Sequence, residues 1–199
     1  MLRPLPKQFY SRSALKVAPD LLGKILCHRT QGKFLSGRIV EVEAYLGEQD
    51  PASHAFRGKT PRNTVMFGPP GFAYVYFTYG NHFCMNAVTG RDGKAGAVLI
   101  RALEPVKGID TMKRRRKKCK VSDLTSGPGK LTQALGIGKK CNQADLASKT
   151  LWIAQDTVKR TLRWERTPRI GISVAKRKRY RFVVKGSLCV SKMRSVKKK

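Results

Sequence analysis

Gly37-Arg38-Ile39-Val40-Glu41-Val42-Glu43-Ala44-Tyr45 reads as a β-strand, in which successive side chains point to opposite faces. Ile39, Glu41, Glu43 and Tyr45 fall on one face, and Val40, Val42 and Ala44 on the other. Two carboxylates thus share a face, with Cα atoms roughly 6.6 Å apart at the rise of a strand, near the separations used by acid–base pairs in glycoside hydrolysis. A solvated face whose glutamates pair with Arg or Lys neighbours gives the same spacing. Spacing alone therefore leaves both readings open and does not say which glutamate would do chemistry.

Outward from that segment the pattern stays β-rich. The strand extends over residues 34–45, and the Gly68–Gly71 turn precedes a second, aromatic strand, Phe72-Ala73-Tyr74-Val75-Tyr76-Phe77-Thr78-Tyr79. Gly80-Asn81 reads as a hairpin tip, with a return strand over 83–88 and another over 97–101. Antiparallel sheet is the expectation for this middle region. Upstream, a short helix around Pro19 leads into a strand through Ile25 and Leu26. Downstream, helices are expected over 107–118 and 130–135, then weak alternation at 151–153, 171–174 and 181–184. The fold class is α+β, one mixed domain over 1–191, followed by a basic tail at 192–199 that is expected to be disordered.

Composition narrows the function. The 199 residues carry 42 Lys+Arg against 12 Asp+Glu, a formal charge of +30, yet 41% are hydrophobic, enough for a core. So many like charges favour a polyanionic partner, nucleic acid first and an anionic membrane surface second. The five cysteines (Cys27, Cys84, Cys119, Cys141, Cys189) form no CxxC pair, which fits reduced thiols and points to no structural metal. With no apolar leader at the start and no bilayer-length apolar run, the expectation is an intracellular, non-secreted chain without a membrane partner.

Other segments add candidates. His54 lies in the Gly47–Gly58 loop, followed by Thr60-Pro61-Arg62-Asn63, chemistry suited to a pocket wall. The aromatic strand presents Tyr74, Tyr76 and Thr78 on one side, and Tyr79 at the tip is placed to wedge between base pairs. Tyr76 and Tyr45, if their strands are neighbours, form a slot for a planar base; core packing of these rings is the alternative. The run Lys113-Arg114-Arg115-Arg116-Lys117-Lys118 is too dense for one face of a helix and reads as phosphate contact or a flexible polyanion-binding loop. Gly127-Pro128-Gly129-Lys130-Leu131 lacks the spacing and the Ser/Thr of a nucleotide P-loop. It reads instead as a helix start offered to a DNA phosphate, with Lys130 and, in the earlier loop, Arg62 as backbone contacts.

Taken together and in order, Arg38–Gly47, His54, Thr60-Pro61-Arg62-Asn63, Tyr74-Val75-Tyr76, Tyr79-Gly80, Cys84-Met85-Asn86, Arg101-Ala102-Leu103-Glu104-Pro105 and Ser126-Gly127-Pro128 resemble the alkyladenine (3-methyladenine) DNA glycosylase family. The likeness resumes weakly at Pro168-Arg169-Ile170-Gly171-Ile172 and at residues 181–187. It implies a curved antiparallel sheet with a protruding hairpin. It implies Glu43 as general base with Glu41 as its structural neighbour, and Arg101 helping to hold the attacking water. Tyr45, His54 and Tyr76 would line the base pocket, Asn86 would border it and exclude the amino group of guanine, and Tyr79 would fill the gap left by the flipped nucleotide. No cofactor is implied. The implied partner is duplex DNA bearing damaged purines, bound by a monomer. Asn81-His82 and residues 176–180 depart from the family pattern.

Two other classes compete. A non-enzymatic nucleic-acid-binding module explains the charge equally well, but a phosphate binder gains nothing from acids placed in its basic face. An oligosaccharide glycosidase fits neither the charge nor the presence of only Trp152 and Trp164.

Overall fold

In the computed structural model, which describes residues 2–78, 80–158 and 161–191, the chain opens with α1 (Lys7–Tyr10) and α2 (Ala14–Leu21). A hairpin follows, β1 (Ile25–Thr30) and β2 (Lys33–Tyr45). Its turn is Gln31-Gly32, with φ of 51° and 68°, the left-handed pair that suits a two-residue hairpin. After the loop carrying His54 come β3 (Ala73–Thr78), β4 (His82–Val88) and the long β5 (Ala97–Lys107). Helices α3 (Ile109–Arg116), α4 (Val121–Leu124) and α5 (Pro128–Leu135) lead into β6 (Leu151–Ala154), β7 (Trp164–Thr167) and β8 (Arg181–Val184).

One antiparallel sheet runs in the order β3-β4-β5-β2-β1-β6, with β7 pairing β8 and β8 pairing β2, and it curls into a half-barrel. Strand β2 is its spine. One edge pairs with β5 along most of its length, while the other takes β1 near its start and β8 at Glu41, Val42 and Glu43. The β2–β5 register slips between Ile39 and Glu41 and again between Glu41 and Val42. Such bulges sharpen twist and bend the strand. They also break strict alternation, so Ile39 and Val40 both enter the main core.

That core joins the sheet to all of helices α1–α5, most extensively to α2 and α5. In α2 the buried Ala14, Val17, Ala18 and Leu21 follow the helical i, i+3, i+4, i+7 spacing. Leu131, Ala134 and Leu135 of α5 enter the same cluster as Val75, Met85, Ile100 and Leu103. Pro128 begins α5 and Gly136, in the left-handed region, ends it. The Thr132 hydroxyl donates to the Phe83 carbonyl at 2.8 Å and ties α5 to β4.

Several expectations change. Strands β2 and β3 are not neighbours, since β4 and β5 lie between them. Strand β5 continues to Lys107, so the helix expected from 107 starts at Ile109. Residues 171–174 form no strand, whereas the exposed 164–167 segment does, recruited by pairing with β8. The basic run is no flexible loop: its first four residues belong to α3, which buries Met112. There Arg115 donates to the Ala134 carbonyl at 3.3 Å and Arg116 to the Leu124 carbonyl at 3.2 Å. These two arginines serve carbonyls at the ends of α5 and α4, as cations at helix C-termini do. The tail at 192–199 lies outside the described residues.

Candidate active site

Where β2 bulges it delivers two glutamates to one buried cluster. Glu41 and Glu43 are both fully inaccessible, and Arg101 from β5 bridges them, its Nε 2.9 Å from Glu41 Oε1 and its Nη1 3.2 Å from Glu43 Oε2. Arg181 from β8 adds a second cation on Glu41 Oε1 at 2.7 Å, and the Ser191 N–H donates to Glu41 Oε2. Burial works to raise the Glu41 carboxyl, but Arg101, Arg181 and the Ser191 N–H together hold it below its ordinary range. Two carboxylates and two guanidiniums thus balance within the sheet.

Glu43 has a different set of partners. Its Oε2 accepts the Tyr45 hydroxyl at 2.8 Å, and its Oε1 accepts the backbone N–H of Ile170 at 2.8 Å. Burial, then Glu43 itself, pushes the Tyr45 hydroxyl well above its usual range, so it stays a neutral donor. Ile170 follows Arg169, whose side chain is fully buried and ion-paired with Asp50. Arg169 Nη2 donates to Asp50 Oδ1 at 2.8 Å and Nη1 to the Ala44 carbonyl at 3.0 Å, with the guanidinium 4.6 Å from the Tyr45 ring centre. Asp50 is held low against its own burial by this arginine and by the N–H groups of Ala52 and Leu46.

The loop after β2 starts at Gly47, where φ is +61° and an added Cβ would lie 2.1 Å from the Ala95 carbonyl oxygen; only glycine fits there. Beyond it, buried Asn63 pins the loop by donating to the carbonyls of His54 at 2.8 Å and Gly58 at 3.0 Å. His54 Nδ1 lies 3.0 Å from the Tyr74 hydroxyl, and the imidazole packs edge-on to Tyr76 with centres 4.5 Å apart. Tyr74 and Tyr76 sit 5.2 Å apart. Burial, then the charge of Arg62, lowers the His54 pKa and favours the neutral ring. The result is an aromatic wall beside a buried carboxylate, able to grip a planar group while the carboxylate handles a proton.

Residues 8–188 match the methylpurine-DNA glycosylase family. The chain belongs to that family. It is 54% identical over 94% of its length to a protein of Carboxydothermus hydrogenoformans, covering 98% of that relative. With a protein of Methanoculleus marisnigri it shares 50% identity, again over 94% and 98% of the two chains. With one of Burkholderia cenocepacia the identity is 48% over 94% and 90%. All three relatives bear the name "Putative 3-methyladenine DNA glycosylase". The chain is thus a DNA glycosylase of DNA repair, a hydrolase of N-glycosyl bonds.

The cluster gathers most of the residues singled out from sequence. Glu43, Arg101 and Tyr45 meet directly, and His54 meets Tyr76. Although two strands separate β2 from β3, the curled sheet keeps Tyr76 near enough to help hold the Tyr45 hydroxyl protonated. Asn86 is buried, its Nδ2 donating to the Tyr74 carbonyl at 3.0 Å. Arg62 is turned back on the wall, bonded to the Phe77 carbonyl at 3.1 Å and lying 5.5 Å from the Tyr76 ring centre. Lys130 reaches Ser126 Oγ at 3.1 Å. Tyr79 lies outside the described residues. Among the described residues no group of three or more His, Cys, Asp or Glu could hold a metal ion, and no helix is long and apolar enough to cross a membrane.

Arg169, Asp50 and Arg181 escaped the sequence reading. Among 42 Lys+Arg no arginine announces itself, and Asp50 is 119 residues from its partner. The available signals were Pro168-Arg169-Ile170-Gly171 and residues 181–187, where the family likeness weakly resumes.

Proposed function

We propose that this glycosylase excises alkylated purines, 3-methyladenine and 7-methylguanine first, from duplex DNA by hydrolysis with Glu43 as general base. The observation carrying the reading is Glu43 itself, a fully buried carboxylate at the foot of an aromatic wall, with oriented donors on both oxygens. A base inside a duplex is inaccessible, so the nucleotide must flip, at a cost of about a few kcal/mol that is least for damaged or mispaired bases. Tyr45, His54 and Tyr76 then hold the base, Asn86 bounds the pocket against the guanine amino group, and Tyr79 occupies the vacated stack. Arg62 and Lys130 meet the phosphate backbone.

As the C1′–N bond lengthens toward an oxocarbenium-like state, Glu43 takes a proton from water and the water oxygen bonds to C1′. The bonding pair leaves with the base. A 3-methyladenine or 7-methylguanine base carries a positive charge and departs neutral, needing no acid. Arg101 steadies the negative charge on Glu43 and helps to hold the water. Hypoxanthine and ethenoadenine are slower substrates, since a neutral base leaves well only when protonated. Water is the nucleophile and no lyase step follows, because among the described residues the partners of Glu43 are Arg101, Tyr45 and Ile170 and none is a lysine. One chain serves one flipped nucleotide, inside the cell where the DNA is.

The test is single-turnover release of free base from two duplexes, one carrying 3-methyladenine and one hypoxanthine, for wild type and Glu43→Gln. General-base catalysis contributes about 10²- to 10⁴-fold, so the variant should bind both duplexes and lose at least two orders of magnitude in rate. A Glu43→Gln enzyme that releases base at the wild-type rate would refute the assignment.

A further inference from the structure

Arg169 sits in a segment with no regular secondary structure, yet its side chain is fully buried and its contacts converge on the site. Its guanidinium grips both oxygens of Asp50 and bonds to the Ala44 carbonyl, which lies between Glu43 and Tyr45 in β2. The Tyr45 ring lies 4.6 Å from it and the Tyr180 ring 5.3 Å. The next residue donates its N–H to Glu43 Oε1. Asp50 in turn receives the N–H groups of Leu46 and Ala52, so it is fixed to the loop that follows β2. Arg169 Nε is buried with no hydrogen-bond partner, so this side chain is held by Asp50, Ala44 and two rings at the expense of one of its own donors.

We propose that Arg169 and Asp50 are a positioning pair: clamped together, they fix the 168–171 segment so that the Ile170 N–H orients Glu43 while the guanidinium keeps the Tyr45 ring in place. A fork is needed because one group must bond to Asp50 and to Ala44 while lying against an aromatic ring, which the planar guanidinium does and a lysine ammonium does not. The pair is bonded to protein groups, the Ala44 carbonyl and the N–H groups of Leu46 and Ala52. It acts through Glu43, and the inference rests on Glu43 being the general base.

The variant to make is Arg169→Lys, which keeps the buried charge and loses the fork. Two quantities are read: single-turnover release of 3-methyladenine, and affinity for a duplex carrying a tetrahydrofuran abasic analogue, which requires the folded DNA-binding surface but no base pocket. A misplacement of about 1 Å caused away from the reacting atoms can cost on the order of 100-fold in rate. The expected result is therefore a release rate lower by about 10- to 100-fold with duplex affinity within about twofold of wild type. A rate within about twofold of wild type would overturn the proposal, and so would equal losses in rate and affinity, which mark a purely structural role.

Asp50→Asn is the second arm. It preserves the shape of the side chain and the charge of Arg169, and it must show the same split. If Arg169→Lys fails to fold, this arm decides the matter alone. Glu43→Gln measured beside them separates the two ideas. An active Glu43→Gln removes the base assignment itself, whereas a dead Glu43→Gln with fully active Arg169→Lys and Asp50→Asn removes only the positioning pair.

Discussion

Replacing Glu41 by Gln should leave the shape of the cluster intact and destabilise the protein more than the same change at Glu43. Glu41 is the carboxylate that Arg181 contacts, and it also takes Arg101 Nε and the Ser191 N–H. Losing it leaves the Arg181 guanidinium buried without an anion, whereas losing Glu43 leaves Arg101 still paired with Glu41. Breaking a buried ion pair by removing one partner costs about 3–5 kcal/mol. With a urea slope of about 2 kcal/mol/M, the midpoint should fall by roughly 1.5–2.5 M at pH 7. The pH dependence fixes the sign independently. The folded-state pKa of Glu41 is depressed below its ordinary 4.5, so its stabilisation is fully present above 4.5 and is lost as pH falls through the folded value. The gap between wild type and Glu41→Gln should therefore close as the solution is acidified below 4.5. Urea unfolding followed by fluorescence at several pH values measures it. A loss under about 1 kcal/mol at pH 7, or a gap that widens in acid, would refute the charge accounting.

Glycine geometry and surface charge each give a further expected outcome. Gly47→Ala, whose Cβ would meet the Ala95 carbonyl at φ +61°, should cost about 4 kcal/mol or more, while Gly32→Ala, at φ +68° with nothing within 4 Å, should cost about 1–2 kcal/mol; thermal midpoints distinguish them. Affinity for undamaged duplex should fall about a thousandfold between 50 and 200 mM salt, read by fluorescence anisotropy, and an affinity flat over that range would contradict the use of the +30 charge for phosphate contact.

What could be read from the chain was whatever had a local cause. The β3–β4 hairpin announces itself through alternation and a Gly-Asn turn, and β2 through its β-branched run. Helix α3 is expected and found, but the reading of its basic run as a flexible loop fails because Arg115 and Arg116 bond to the carbonyls of other helices, partners that periodicity does not reveal. Strand β7 is exposed and lacks alternation; its partner β8 makes it a strand. The site divides along the same line. Alternation alone places Glu41, Glu43 and Tyr45 on one face of β2 and Tyr76 in an aromatic strand, whereas the choice of Glu43 over Glu41, and Arg101 altogether, come only from the family resemblance. Arg169, Arg181 and Asp50 matter only through long-range contacts, and the bulges that bring Glu41 and Glu43 to one arginine arise from pairing with β5.

Three of the twelve acidic residues are buried, Glu41, Glu43 and Asp50, and all three stand at the site. The buried Lys and Arg side chains among the described residues are likewise three, Arg101, Arg169 and Arg181, each paired with one of those acids. The interior is therefore electrically balanced, and the +30 excess lies outside it. This separation has a physical logic. Attraction to a polyanion needs uncompensated surface charge, which salt screens within about 10 Å at 0.1 M. A general base needs a fixed, water-poor setting in which neighbouring charges are neither screened nor left unpaired, because an unpaired charge there costs several kcal/mol. Placing both demands on one set of residues would make the chemistry follow the ionic strength. On the proposed function, matching the cations of the cluster to its anions leaves the surface charge for DNA while the environment of Glu43 is set by Arg101, Tyr45 and the Ile170 N–H.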